Sequence, residues 1–369
     1  MTKEGVEFAD AFIDYLNESC TAFHAIQSTS ELLVVAGFER LYENKEWNLQ
    51  VAGKYFFTRN ATSVIAFTVG GAYKPGNGFT ILGAHSDSPC LKIKAVTCHK
   101  KGEALMLNTQ PYGGGLWHTW FDRDLGLAGR IVTEEDGALK TKLVRIDKPI
   151  ARIPNLAIHL TSGSERDSFA PNLQEHGKAI LSMDPSLVDM KTEQTDGNVL
   201  RLHPALLQMI ASEANIPQEK IVDLELQLID VQPSTIGGAS GDLIFSGRLD
   251  NLCSSYQCMR AIIDGSSDEL VNQPNIRMAM MFDHEEVGSS SCAGAGSSMF
   301  MDTLRLINDC LTDKSHGNHI FRFIIFYFLV IYIKVCFPSF GFILSYSQNI
   351  IIHRIRLCEF FLQRLLQYF

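Results

Sequence analysis

One segment, Met278-Ala-Met-Met-Phe-Asp-His-Glu-Glu-Val-Gly-Ser, constrains this chain more than any other. An apolar run, Ile276–Phe282, passes without a break into Asp283, His284, Glu285 and Glu286. A short apolar run of this kind reads as a buried sheet strand. Four ionisable groups at the end of such a strand are costly unless they are paired, solvated or bound to metal. Adjacent glutamates point in different directions, so one can ligate while its neighbour acts as a general base. The competing reading is a polar loop that is merely solvated.

Two other segments repeat the pattern. Ile81-Leu-Gly-Ala-His-Ser-Asp-Ser-Pro puts His85 and Asp87 at the end of the apolar run Phe79–Gly83, and strand C-termini in open α/β sheets are where ligands bind. A histidine offers a neutral imidazole nitrogen to a metal, and a carboxylate two residues on can fix its tautomer. Ser86, Asp87 and Ser88 are equally good turn and cap residues. Phe245-Ser-Gly-Arg-Leu-Asp-Asn brings Asp250 to a strand–helix junction. There it either caps the helix or bridges two metal ions through its two oxygens. Together the three clusters offer oxygen and imidazole donors without a thiolate, a mixture suited to zinc, cobalt or manganese.

The rest of the chain is read around these clusters. Helices are expected near the start and over Thr21–Ala36, the second ended by Gly37. Strands follow at Lys54–Thr58 and Ser63–Thr68. From about residue 93 to 235 short β-like runs dominate, among them Ala104–Asn108, Gly129–Thr133, Lys140–Val144 and Leu156–Leu160. Alternation of helices and strands then returns, with helices at Asp250–Ile263 and Ser297–Leu311. The expected organisation is an α/β catalytic domain in two pieces, 1–92 and 236–313, with a mostly β domain, 93–235, inserted between them.

The remaining 314–369 differs in kind. His319–Phe369 holds 10 of the 23 phenylalanines and one acidic residue, Glu359, a composition expected of an unrelated tail such as a shifted reading frame gives. Its apolar run Phe323–Ile333 is bounded by Arg322 and Lys334, and falls short of the roughly 20 residues of a transmembrane helix. Nine scattered cysteines with no CxxC pair, and a first twenty residues without an apolar signal core, point to a reduced, cytoplasmic protein. A formal net charge of −9 without a concentrated basic face argues against nucleic-acid binding.

The motifs together resemble the aspartyl aminopeptidases, a family of two-metal exopeptidases. The matching stretches are His85-Ser-Asp-Ser-Pro, Tyr112-Gly-Gly-Gly-Leu-Trp-His-Thr-Trp-Phe-Asp-Arg-Asp-Leu, Arg152-Ile-Pro-Asn-Leu-Ala-Ile-His-Leu, Ser246-Gly-Arg-Leu-Asp-Asn and Asp283-His-Glu-Glu-Val-Gly-Ser. The resemblance implies a zinc-peptidase-like α/β catalytic domain with an inserted, mostly β dimerisation domain. It implies that His85 and Glu286 each ligate one of two zinc ions, that Asp250 bridges them, that Glu285 is the general base and that Asp87 orients His85. It also implies that His159 reaches a neighbouring subunit's site, that the substrates are peptides with N-terminal Asp or, less readily, Glu, and that the enzyme is a homo-oligomer, a dodecamer. Two further ligands of the family, a later Asp and a still later His, lie beyond about residue 313, where the resemblance stops. His316, His319 and His353 sit in no matching motif. The expectation is a C-terminally truncated, inactive chain; the alternatives are a non-catalytic subunit and a variant tethered to a membrane through Phe323–Leu344.

Overall fold

A computed structural model describes residues 3–190, 202–312, 324–326 and 351–354. The tail from 314 otherwise lies outside the described residues, as do His316 and His319. The described residues form two compact units.

The first unit contains the described residues up to Ser88 and those from Ser234 onward. Its main sheet has the strand order Glu39–Arg40, Lys54–Arg59, Ser63–Val69, Ile276–Phe282, Phe79–His85, Ile324–Phe326. Ile276–Phe282 is buried along its whole length and sits at the centre. It runs antiparallel to Ser63–Val69 and parallel to Phe79–His85. Side chains alternate across a strand, and both faces here are covered. Ala279 and Met281 join the core made with the helices Lys3–Glu18, Ala22–Val35 and Leu249–Asp264. Met278, Met280 and Phe282 pack on the opposite face with Met299, Leu304 and Ile307 of the helix Met299–Leu311. Burial on both faces explains why the strand is apolar on both faces rather than alternating, with Arg277 as its one charged residue. A small antiparallel sheet, Thr235–Gly237, Leu243–Ser246 and Ile351–Arg354, completes the unit.

The second unit, Pro89–Pro233, is mostly β. Its sheet has the order Ala138–Ala151, Leu125–Glu135, Ile221–Asp230, Cys90–Lys101, Ala104–Tyr112, Ala179–Ser182, with antiparallel neighbours throughout. One helix of three turns, Pro204–Ala214, lays Leu206, Ile210 and Ala211 against the sheet. Sequence patterning expects no such helix here. Proline in its first turn and left-handed Asn215 at its end are the start and stop signals that locate it.

One expected strand is absent. Leu156–Leu160 is an exposed segment ending in the 3₁₀ turn Ile158–Leu160. Pro154 removes a backbone donor just before it, and Asn155 is held by the Asp122 carboxylate through its amide at 3.0 Å and its side chain at 2.8 Å. Among the described residues no helix is long and apolar enough to cross a membrane.

Candidate functional site

The parallel register pairs Phe282 with His85, so the Asp283–Glu286 turn leaves the sheet beside the imidazole. His85 is buried, its carbonyl accepts a hydrogen bond from the Ser255 hydroxyl at 2.7 Å, and Ser86 ties the following turn to the Phe282 carbonyl. His85 Nδ1 lies 3.0 Å from the Asp87 carbonyl oxygen and 3.4 Å from its carboxylate. A carbonyl only accepts, so Nδ1 carries a proton and Nε2 faces outward. Nε2 is 3.3 Å from Asp250 Oδ1 and 3.7 Å from Glu285 Oε2. Burial disfavours the imidazolium, but hydrogen bonds and charges from Asp250 and Asp87 outweigh it and push the pKa up to about 10.

Asp87 has two attachments. Besides facing His85, its buried carboxylate accepts the backbone amides of Glu285 and Glu286, each at 3.2 Å. It thereby caps the 3₁₀ turn Glu285–Val287. Asp250 has no such duty. Arg248, at the N-cap of the helix Leu249–Asp264, makes no side-chain cap hydrogen bond, and Asp250 has the non-helical backbone angles that a cap residue would have. Its carbonyl accepts from the Ser88 hydroxyl at 2.7 Å, which leaves a carboxylate 66% exposed beside His85.

The Asp283–Ser291 loop holds the two glutamates. Asp283 is buried; burial raises its pKa and the charge of Asp87 adds to that, while hydrogen bonds from Thr62 and His284 pull the other way. His284 adopts left-handed backbone angles, its amide donates to Asp283 Oδ1 at 2.7 Å, and its Nδ1 lies 2.7 Å from Ser291 Oγ. Glu285 projects a carboxylate 45% exposed toward His85, and Glu286 is half-buried.

These donors test well against zinc in kind. Two ligands of one tetrahedral zinc, each bonded at about 2.0–2.2 Å, lie roughly 3.3–3.5 Å apart. The His85–Asp250 spacing matches that edge, so a cation and a proton compete for the same place. They fall short in number: among the described residues no group of three or more His, Cys, Asp or Glu side chains is arranged to hold an ion. His159 is exposed and belongs to the second unit. The supports that sequence reading passes over are Ser255 and Ser291, and Ser88, read there only as a turn or cap residue, is a third. Their only signal is proximity to the motifs, since the groups that Ser88 and Ser255 bond are distant in the chain.

A family model described as aminopeptidase I zinc metalloprotease (M18) matches residues 15–325, running past the last motif read from the sequence. The chain is 42% identical over 337 residues to the "Probable aspartyl aminopeptidase" of Ricinus communis, covering 85% of this chain and 69% of that one. It is 40% identical over 333 residues to the aspartyl aminopeptidase of Aspergillus oryzae, covering 83% and 66%. The chain thus spans about two thirds of the length of these relatives. Among solved structures, the cryo-EM structure of the Ape4 and Nbr1 complex matches with a TM-score of 0.79 and 38% identity, over 85% of this chain and 61% of that one. The S. cerevesiae mApe1 dodecamer matches with a TM-score of 0.71 and 26% identity, over 83% and 67%.

Proposed function

Since this chain belongs to the aminopeptidase I zinc metalloprotease (M18) family, we propose that its first unit is the core of a two-zinc aminopeptidase that removes N-terminal Asp, and less readily Glu, from peptides. The observation that carries this reading is His85 Nε2 set between the Asp250 and Glu285 carboxylates, with Asp87 behind the ring. In this reading His85, Glu286 and Asp250 are the residues that would hold the zinc, with Asp250 as the ligand that would be shared. Bound zinc supplies a Lewis acid and lowers the pKa of coordinated water toward neutrality. Glu285 takes the proton from the attacking water and returns it to the leaving amine. Asp87 keeps His85 in the tautomer whose Nε2 is free to ligate. His159, exposed on its 3₁₀ turn, serves a neighbouring subunit's site in a homo-oligomer, a dodecamer as in the yeast relative. We place the protein in the cytoplasm, where the seven free cysteines among the described residues would stay reduced.

We propose a second reading beside it, because among the described residues no third donor joins His85 and its neighbours. Among the described residues each ion would have one ligand besides Asp250, and the resemblance implies a further Asp and a further His. We propose that the chain alone is a silent subunit until those ligands are supplied. The test is cleavage of Asp- and Ala-substituted chromogenic substrates alongside a count of bound zinc. Asp-selective release with two zinc ions per chain would exclude the silent reading. A chain that takes up no zinc at all would remove the two-zinc reading of this chain and leave the silent one.

A further inference from the structure

The loop that carries Glu285 and Glu286 is held from two sides, and only one side belongs to the site already described. On that side Asp87 accepts the two glutamate amides. On the other, His284 gathers both ends of the loop. Its φ of 61° is left-handed, a conformation a non-glycine residue pays for, although histidine is among the types enriched there. Its carbonyl accepts the Ser289 amide at 2.7 Å, and its amide donates to Asp283 Oδ1 at 2.7 Å.

The side chain closes the rest. Gly294 donates its amide to Ser291 Oγ at 2.9 Å. The Ser291 hydroxyl lies 2.7 Å from His284 Nδ1, so it is tied to both the loop backbone and the imidazole. The other ring nitrogen, Nε2, lies 3.4 Å from Asp283 Oδ2. Asp283 is in turn fixed to the sheet, because its amide donates to Ser63 Oγ at 3.0 Å and to the Ala293 carbonyl at 3.2 Å. The chain Gly294–Ser291–His284–Asp283 therefore runs from the far end of the loop back to the end of the central strand. Glu285 begins at the residue it immobilises.

We propose that His284, locked by Ser291, is a positioning residue that sets the direction in which the Glu285 and Glu286 carboxylates leave the turn. The proposal rests on the reading of this site as a zinc centre. Neither side chain touches the ion or the substrate; they act through the backbone of the two glutamates. Outer partners of metal ligands typically contribute 10–100-fold to metal affinity.

The test is titration of the full chain with Zn²⁺, repeated with Co²⁺ as a spectroscopic probe, alongside thermal melts. Ser291→Ala removes the hydroxyl, and His284→Asn removes the imidazole while keeping a residue that tolerates left-handed angles. Each is expected to weaken zinc about tenfold with the melting temperature hardly moved. The double variant should be no weaker than either single one, and Ser291→Thr, which keeps the hydroxyl, should restore wild-type affinity. If the wild type binds zinc and both single variants bind it equally well, the proposal is overturned while the zinc reading stands. If affinity falls only with the melting temperature and threonine does not restore it, the pair is merely structural and the proposal also fails. A wild-type chain that binds no zinc overturns both.

Discussion

A proton bridges His85 and Asp250 only while nothing else occupies the point between Nε2 and Oδ1, and Asp87 decides what the other side of the ring looks like. Its carboxylate faces Nδ1 and caps the turn of Glu285 and Glu286, so one substitution loosens both halves of the site. Asparagine at position 87 keeps the volume but replaces one acceptor oxygen with an NH₂ group that confronts a backbone amide. Asp87→Asn is expected to weaken zinc binding by about 10–100-fold and to cost about 1–3 kcal/mol of stability, the penalty for a buried donor left unmet. Zinc titration and urea unfolding measure the two effects, and a variant indistinguishable from wild type in both would refute this account of Asp87. At this scale the sequence shows which acids and imidazoles stand at strand ends. It does not show the hydroxyls that aim them. The residue bonded by Ser255 lies 170 positions away and that of Ser88 lies 162 away, and nothing local distinguishes these serines from solvated ones.

Among the elements, those with one dominant local signal were legible. The strand Ile276–Phe282 has the residues its apolar run predicts, and the helix Leu249–Asp264 extends the expected Asp250–Ile263 by one residue at each end. The pairing of Phe282 with His85 was not legible, because register between distant strands is set by tertiary packing and not by either strand's own pattern. Leu156–Leu160 failed for the opposite reason: consecutive apolar residues imitate a buried strand even when no sheet receives them. The helix Leu249–Asp264 also carries a titration of its own. Burial pushes the Cys258 thiol from its ordinary 9.0 up to about 12. Above pH 9 the unfolded thiol loses its proton while the folded one keeps it, so the unfolded state binds fewer protons and stability falls as pH rises. The stabilisation is whole below pH 9 and lost by about pH 12, and that interval corresponds to about 4 kcal/mol. Cys258→Ala should therefore flatten the alkaline limb of stability against pH, measured by urea unfolding at stepped pH. An equally steep limb in the variant would count against this assignment. Tyr15, also held near 12 by burial, leaves a smaller residual slope.

For the molecule as a whole, the α/β class followed from strand-like and helix-like runs in alternation, and the family from motifs spread along most of the chain. What neither predicts is where the second unit leaves its apolar surface open. Leu156, Ile158 and Leu160 are 64%, 60% and 71% exposed, and Phe169 nearby stacks edge-on against Phe121 while remaining half exposed. The segment is nonetheless anchored: Asp122 grips Asn155, Asp124 pairs with Arg152, and Phe121 bridges to Ile153. Burying one such aliphatic side chain is worth about 1.5–3 kcal/mol, so three of them in an anchored segment would contribute to association of like subunits against a cost of about 4–15 kcal/mol in lost translational and rotational freedom. If the homo-oligomer proposed above uses this segment, Leu160→Asp should shift the sedimentation profile toward smaller species, because a carboxylate entering an apolar interface must be desolvated without a partner. Far-UV circular dichroism should not change, since Leu160 contributes nothing to the buried core of its own unit. A wild-type chain that sediments as a monomer at micromolar concentration, or a variant that assembles as the wild type does, would place the interface elsewhere and leave these three side chains without a role.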